Sequence, residues 1–343
     1  MVQAQLTQTT QLNTQILYRK GKKDMSKTCI AVDSGKYMTK AIMAVNKADS
    51  SKDKLLSFRT SVASHFKDIG SSSDEYTVTF DGETYDVGVV KAKMTDSSSS
   101  KNTEVHKICI YTAIARLLGR DDMNVSVAIG CPLDIFINVN EKEKYIKNML
   151  PLNKVIEIKI NGTVIRFKVV EANVYPESAG VIYLNMRQYH DKIVNIIDIG
   201  GLNVNGCQYD HLRPVKSTLF TANLGGNTLV EDLRDYLAAT TGEDRSTLWD
   251  NQLEYWIKNN EIPNFEEGNR VISNLKMDKA NAILAACKDK QWNLRFSTAI
   301  FTGGTSELLK EELKKAFGLT YLAFYADPVF SNAKGFLKMI RNR

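Results

Sequence analysis

One pattern occurs twice in this sequence, about half a chain length apart. A β-rich apolar run ends in Asp-x-Gly and a second strand-like run follows it, first at 28–45 and again at 193–209. A single hydrophobic core usually stops growing at roughly 250–300 residues, and this chain has 343. The duplication and the length together predict two related lobes, with a cleft between them that can hold a ligand.

The rest of the sequence alternates strands with helices. Residues 103–118 carry apolar side chains at helical spacing and stop at Gly119, as a glycine C-cap predicts. Asp-Gly at 81–82 and Asn-Gly at 161–162 mark two tight hairpins, and a helix is predicted at 176–189 because proline suits its first turn. This alternation is typical of an α/β fold.

Composition and charge exclude several classes of protein. The 45 basic and 39 acidic residues are well mixed, so the net charge of +6 forms no strong nucleic-acid-binding footprint. Five scattered cysteines form no CxxC pair and four histidines lack HExxH spacing, which argues against a disulfide framework and a zinc site. No apolar run reaches the roughly 18 residues of a membrane span. We therefore expect a cytoplasmic protein that neither crosses a membrane nor reads DNA sequence directly.

Three glycine-containing tips offer the backbone chemistry of a phosphate site. They lie at 33–35, 200–201 and 303–304. Glycine permits close backbone approach, and tight turns and helix starts supply N–H donors to phosphate oxygens. A single Asp-x-Gly at a hairpin is most often only a turn, so the order of the three tips carries more weight than any one of them.

The charged residues at these tips suit a nucleotide bound with a divalent cation. Asp33 and Asp198 would provide hard oxygen ligands from opposing tips. Lys40, on the strand that returns from the first tip, would neutralise phosphate charge. The residues alone therefore indicate a phosphate-and-metal site between the lobes.

The order of the motifs resembles the actin-like ATPase superfamily, and most closely its ParM-like group of bacterial plasmid-partitioning actins. The resemblance covers most of residues 28–340. IAVDSGKYMTKA resembles the first phosphate loop, VYPESAGVIY the first connecting helix and IIDIGGLNVNG the second phosphate loop. IFTGGTSELL is similar to the adenosine motif, and DPVFSNAKGFLKM to the closing helix.

This resemblance implies an actin-like fold, in which two related α/β lobes surround a nucleotide cleft. The first lobe is expected at 26–190 plus 328–343, with a small subdomain inserted at 46–101. The second lobe is expected at 191–327. Residues 1–25 are expected to be a polar, disordered extension ahead of the fold.

The resemblance also implies ATP as the ligand, with GTP as an alternative, together with Mg²⁺. Glu177 falls where the family orients the attacking water, although a glutamate at a helix start is also a favourable partner of the helix dipole. Asp198 is the second catalytic residue, and Asp33 and Asp198 are expected to hold Mg²⁺ through water. The expected nucleotide contacts are Asp33, Ser34, Gly35, Lys36, Lys40, Gly200, Gly201, Asn203, Gly225, Gly226, Gly303, Gly304 and Thr305.

The second phosphate loop departs from the family's pattern. Where the family commonly continues with a threonine pair and another aspartate, this chain has Leu202, Asn203 and Asn205. An amide at position 205 cannot replace a carboxylate in positioning metal and water, so slow hydrolysis is expected.

The expected function is that of a filament protein switched by nucleotide. The resemblance implies self-assembly and segregation of plasmid DNA through a small DNA-binding adaptor protein. A small-molecule kinase of the same superfamily would need an extra carboxylate base near the first phosphate loop, and a chaperone-type ATPase would carry a peptide-binding domain. A cell-shape actin would carry an amphipathic or apolar membrane-insertion segment, which the polar N-terminus does not supply.

Overall fold

The structure is a computed structural model, and it describes residues 27–46, 49–65, 75–89, 93–94, 100–318 and 322–341. The predicted extension at 1–25 and parts of the predicted insert at 46–101 lie outside these residues. The strands are β1 (Thr28–Ser34), β2 (Met38–Met43), β3 (Lys54–Arg59), β4 (Ser61–Ser64), β5 (Tyr76–Phe80), β6 (Glu83–Val87), β7 (Lys93–Met94), β8 (Asp122–Cys131), β9 (Val155–Ile160), β10 (Thr163–Pro176), β11 (Ile193–Ile199), β12 (Val204–Asp210), β13 (Arg213–Pro214), β14 (Phe220–Ala222), β15 (Thr298–Thr302) and β16 (Leu322–Phe324). The α-helices are α1 (Glu104–Leu118), α2 (Leu133–Ile137), α3 (Val139–Met149), α4 (Gly180–Leu184), α5 (Met186–Tyr189), α6 (Gly226–Thr241), α7 (Asp250–Asn259), α8 (Gly268–Asp289), α9 (Gly304–Leu308), α10 (Lys310–Phe317) and α11 (Ser331–Arg341).

Ten of the described strands form the first sheet, in the order β3-β2-β1-β8-β10-β9-β5-β6-β4-β7. Its centre is parallel, because β8 pairs in parallel with both β1 and β10. Alternate residues of β1 face different cores: Ile30 and Val32 pack with α1, whereas Cys29 and Ala31 pack with α11. Helices therefore cover both faces of β1, which explains its continuous apolar run.

The second sheet has the order β13-β12-β11-β15-β16, with β14 paired to β12. On one face Ile197 and Ile199 of β11 pack with α6, α8 and α10. On the other face Val194 and Ile196 pack with Val181 of α4. Two sheets with helices on both faces confirm the predicted α/β class and the pair of lobes.

The duplicated units have the same local geometry. β1 and β2 form an antiparallel hairpin in which Asp33 pairs with Lys40. β11 and β12 form the equivalent hairpin, and there Asp198 pairs with Asn205. Each aspartate thus lies at the end of a central strand, on the edge where the strand turns back.

Local turn chemistry follows the sequence closely, with one exception at 176–189. Gly119 ends α1 in the left-handed region at φ 64°, and the Asp-Gly and Asn-Gly hairpins at 81–82 and 161–162 have positive φ at both positions. The prediction of a helix at 176–189 was wrong about where the helix begins. Pro176 instead ends β10 by pairing with Cys131, and the helical residues begin only at Gly180.

Helices α4 and α11 each have a glycine where they cross, and the two backbones lie in close contact there. A Cβ on Gly180 would lie 2.3 Å from the carbonyl oxygen of Ser331, and one on Gly335 would lie 2.4 Å from the carbonyl oxygen of Gly180. Backbone atoms cannot move aside as a flexible side chain can. The C-terminal helix therefore depends on glycine at both positions to reach the first sheet.

None of the helices in the described part of the chain combines the length and the apolar character that a membrane span requires.

We expect Gly180→Ala to destabilise the folded state. Forcing a methyl group into a filled contact costs about 1–3 kcal/mol of unfolding free energy, and here the obstruction is backbone. Gly304→Ala is the matched control, because its Cβ would meet only Val329 at 3.8 Å. Urea unfolding without nucleotide measures both variants, and equal midpoints would contradict the close crossing.

Candidate functional site

A cavity of about 760 Å³ lies between the two sheets, at the ends of β1, β11 and β15. The three predicted glycine tips meet there. Twelve of the sequence-predicted residues line it: Asp33, Gly35, Lys36, Lys40, Glu177, Asp198, Gly200, Gly201, Asn203, Gly303, Gly304 and Thr305. The chain thus gathers residues from positions 33 to 305 into one cleft.

Three other predicted contacts lie behind the cavity. The Ser34 hydroxyl makes a hydrogen bond with His106 Nδ1 at 2.9 Å, inside the first lobe. Burial, followed by the charges of Lys101 and Lys36, lowers the pKa of His106 to about 3, so it is a neutral structural partner. Gly225 and Gly226 do not line the cavity, but their N–H groups donate to Leu202 and Gly200 carbonyls at 3.2 and 3.0 Å and so brace the second tip.

The first tip combines an acid and a base on adjacent strands. Asp33 is 5% exposed, and its Oδ2 lies 3.5 Å from Lys40 Nζ. The pairing follows from the hairpin register, which places the two residues opposite each other. A lysine ammonium is therefore held at the cavity wall, next to a carboxylate that faces the same space.

A residue of the C-terminal helix, α11, holds the carboxylate of the second tip in place. Asn332 Nδ2 donates to Asp198 Oδ2 at 3.0 Å, while Asn332 Oδ1 accepts from the Gly180 N–H at 3.2 Å. Burial, with the nearby charge of Asp33, raises the pKa of Asp198 to about 6. One amide therefore links Asp198 in the second lobe to the start of α4 in the first.

The third tip approaches Asp198 so closely that only glycine fits. Gly303 has φ 84°, and a Cβ there would lie 2.4 Å from Asp198 Oδ1. Thr305 donates its hydroxyl to the Gly200 carbonyl at 2.9 Å. The second and third tips are thus joined into one backbone-lined wall.

Glu177 reaches the cavity from the turn after β10. Its N–H donates to the Cys131 carbonyl at 3.0 Å, which continues the parallel pairing of β8 and β10. Gly130 lies between it and the first tip, since a Cβ there would meet Asp33 Oδ1 at 3.4 Å and Glu177 Cγ at 3.6 Å. Glu177 precedes α4 by three residues and so lies outside the first turn of that helix.

Lys101 is the site residue that the sequence did not reveal. It is 6% exposed, and its Nζ lies 2.6 Å from Glu177 Oε1. Burial alone would lower the pKa of Lys101, but the charges of Glu177 and Asp33 outweigh it and raise that pKa. Lys101 therefore stays cationic among three carboxylates. It follows a serine-rich stretch with no motif, so only its position in the fold identifies it.

Side chains also bridge the two lobes at the mouth of the cleft. The Tyr37 hydroxyl donates to Glu254 of α7, and Arg59 Nη2 lies 3.1 Å from the same carboxylate. The Arg59 guanidinium also stacks over the Tyr37 ring at 4.0 Å. A residue of each lobe therefore has a direct partner in the other.

The donor set fits Mg²⁺ held together with phosphate. Among the described residues, no group of three or more His, Cys, Asp or Glu side chains could enclose a metal ion alone. Asp33 and Asp198 face one cavity, and Mg²⁺ usually takes one or two carboxylates while waters and phosphate oxygens complete its shell. Burial, followed by repulsion from Asp33, raises the pKa of Asp198, and a bound dication would offset both by favouring the charged carboxylate.

Comparison with known proteins identifies a family model that matches part of the chain and solved structures that share its fold. Residues 31–180 match the family model for the N-terminal domain of actin-like proteins, whereas no curated protein sequence matches significantly. The archaeal actin homologue Ta0583 is 19% identical with a TM-score of 0.74, over 92% of this chain and 100% of its own. It is also known in complex with ADP.

Two further similar structures are those of a ParM protein and of the AlfA protein. The apo psk41 ParM protein is 16% identical with a TM-score of 0.66, over 91% of this chain and 96% of its own. AlfA from B. subtilis plasmid pLS32, in its filament structure, is 16% identical with a TM-score of 0.61, over 91% of this chain and 98% of its own. AlfA is also known as a filament bound to AMPPNP. Residues 31–180 therefore match the N-terminal domain of actin-like proteins, and the chain has the actin-like fold over about nine tenths of its length.

Proposed function

We propose that this protein binds and hydrolyses a nucleoside triphosphate, ATP or GTP, in the cleft between its lobes, and that the nucleotide controls assembly into a filament. One observation carries the proposal. Three glycine tips, the carboxylates of Asp33, Asp198 and Glu177 and the ammonium of Lys40 converge on one cavity.

Each group has a distinct role in this proposal. The backbone N–H groups of the three tips hold the phosphate chain, and Lys40 offsets its charge. Asp33 and Asp198 would hold Mg²⁺ through water, and the ion would supply positive charge to offset that of the phosphates. Glu177 orients a water for in-line attack, because phosphoryl transfer depends mainly on positioning and electrostatics.

Slow turnover is expected from the second tip. Asn205 stands opposite Asp198 in the β11–β12 register, and its Oδ1 accepts from the Thr221 hydroxyl at 2.8 Å. An amide held in this way offers a neutral oxygen where a carboxylate would attract the cation. We therefore expect bound triphosphate to persist long enough for a filament to form before hydrolysis.

The cellular role we propose is segregation of plasmid DNA in the bacterial cytoplasm. In this role the filament is coupled to plasmid through a small DNA-binding adaptor. Support comes from the structural similarity to psk41 ParM and to the filament protein AlfA from plasmid pLS32. A heterologous contact that does not close produces an open helix, so filament growth requires only one repeated contact between copies.

Right-angle light scattering tests the proposal. Purified protein receives Mg-ATP, Mg-GTP or buffer, and phosphate release is followed in parallel. A nucleotide-dependent rise with phosphate release is the expected result. A flat trace well above micromolar protein, with nucleotide still bound, would refute the filament and favour a small-molecule kinase.

A further inference from the structure

The first turn of α11 contacts both lobes beside the cavity. Its first two residues reach the second lobe: Ser331 shares a 2.6 Å hydrogen bond with the hydroxyl of Thr302, at the end of β15. Asn332 donates to Asp198, at the end of β11. The rest of the helix packs on the first sheet through Ala333, Phe336, Leu337 and Ile340. The start of α11 therefore holds the second and third tips, while its body belongs to the first lobe.

Both ends of the Asn332 amide have partners. Nδ2 donates to Asp198 Oδ2 at 3.0 Å, and Oδ1 accepts from the Gly180 N–H at 3.2 Å. The residue is 6% exposed and lines the cavity. An amide turned by 180° would place its oxygen against the carboxylate, so the two partners fix its orientation. A buried amide that is satisfied at both ends is held rigidly.

The partners of Asn332 belong to the two halves of the proposed reaction. Asp198 is on the side that would hold Mg²⁺. Gly180 follows Glu177, the residue proposed to orient water, by three positions at the end of a tight turn. A Cβ on Gly180 would lie 2.4 Å from Asn332 Cα, so the two backbones are in direct contact. The amide thus sets the position of the Asp198 carboxylate relative to the turn that carries Glu177.

The two aspartates of the cleft are held in different ways. Asp33 lies opposite Lys40, whose ammonium is 3.5 Å from its carboxylate. Asp198 lies opposite Asn205 in the equivalent hairpin, so its own hairpin supplies no cation. Its side-chain donor comes from α11 instead, through Asn332. The orientation of Asp198 therefore depends on a residue 134 positions further along the chain.

We propose that Asn332 is a positioning residue for hydrolysis, because its amide fixes the Asp198 carboxylate relative to the Glu177 turn. The inference rests on the proposed function and adds a residue to it. Asn332 acts through Asp198 and the Gly180 backbone, not on the phosphate itself. Such outer partners orient the groups that hold a metal ion, and replacing one usually costs about 10–100-fold in metal affinity or activity.

Asn332→Leu tests the role of the amide, because leucine has a similar size and no hydrogen-bonding group. At saturating Mg²⁺ we expect it to bind fluorescent nucleotide like the wild type, while phosphate release falls about 10–100-fold. Binding of Mn²⁺, a spectroscopically visible substitute for Mg²⁺, should weaken about tenfold in the presence of a non-hydrolysable triphosphate analogue. Phosphate release is divided by the light scattering of the same sample, which corrects for the amount of filament.

Asn195→Leu is the matched control. Asn195 lies on β11, three residues before Asp198, and is fully buried outside the cavity. Its amide also has two partners, since Nδ2 donates to Ser297 and Oδ1 accepts from Gln208 Nε2 at 3.0 Å. The variant should unfold at lower urea than the wild type but keep its Mn²⁺ affinity and phosphate release. Equal losses of phosphate release in Asn195→Leu and Asn332→Leu would indicate a purely structural role and overturn the proposal.

Asn332→Asp guards against a folding defect. Aspartate keeps the size of the side chain and an acceptor for the Gly180 N–H, so only the donor that faces Asp198 is lost. We expect phosphate release per filament to fall as it does in Asn332→Leu. Wild-type release in both Asn332 variants would overturn this inference and leave the proposed function standing. A wild-type protein that releases no phosphate would remove both.

Discussion

Replacing Glu177 by glutamine should lower phosphate release by about 10²–10⁴-fold, the usual contribution of a side chain that positions or deprotonates a nucleophile. Glutamine keeps the size of the side chain but cannot attract a proton from water. Nucleotide binding should persist, because the tips, Lys40, Asp33 and Asp198 remain. Filaments formed with Mg-ATP should therefore outlast those of the wild type. Phosphate release and light scattering, recorded on one sample, measure both effects.

Glu171→Gln is the matched control for this result. Glu171 lies on the same strand, β10, and pairs with a lysine, Lys27, at 3.0 Å. It is outside the cavity, so its replacement should leave phosphate release close to the wild-type rate. Equal loss of activity in both variants would indicate a structural role for the strand and contradict a catalytic role for Glu177.

The sequence predicts the parts of this site that depend on local backbone chemistry. Each glycine tip follows an apolar strand, and the order of the tips places them on one edge of their sheets. The order of the tips, together with the family resemblance, therefore predicts that Asp33, Asp198 and Gly303 lie in one site. The sequence-predicted turns at 81–82 and 161–162 form for the same reason, since Asp-Gly and Asn-Gly favour positive φ.

Contacts that depend on distant packing were not predictable in this way. Pro176 favours a helix start, but its pairing with Cys131 extends β10 instead. The pairing of β10 with β8 thus outweighed the local preference of proline for the first turn of a helix. Asn332 lay in a recognised motif, yet its bridge between Asp198 and Gly180 depends on the close crossing of α4 and α11. A local sequence pattern cannot predict a contact between residues that are more than 130 positions apart in the chain.

The two duplicated hairpins also differ in the residue that lies opposite the aspartate. Lys40 lies opposite Asp33, whereas Asn205 lies opposite Asp198. The first tip therefore carries its own cation and the second does not. The carboxylates that line the cleft belong to Asp33, Asp134, Glu177 and Asp198. The lysine on β2, Lys40, forms an ion pair with Asp33 at 3.5 Å. A further cation of the site comes from outside the repeat, from Lys101.

Replacing Lys101 by methionine should destabilise the protein more than the other changes considered. Removing one partner of a buried ion pair costs about 3–5 kcal/mol, because the remaining charge stays buried and uncompensated. Here the remaining charges are Glu177, which loses its 2.6 Å partner, and Asp33 and Asp198 nearby. Urea unfolding at neutral pH, without nucleotide or Mg²⁺, measures the loss.

A second variant separates this charge effect from lost packing. Lys101→Met with Glu177→Gln removes both charges of the pair, so it should be more stable than Lys101→Met alone. Lys279→Met is the control, since Lys279 is also buried but its partner Asp232 is 46% exposed. Water can solvate that carboxylate once the lysine is gone, so the cost there should be smaller. Equal losses for Lys101→Met and Lys279→Met, with no recovery in the double variant, would contradict a role for Lys101 in neutralising the carboxylates of the cleft.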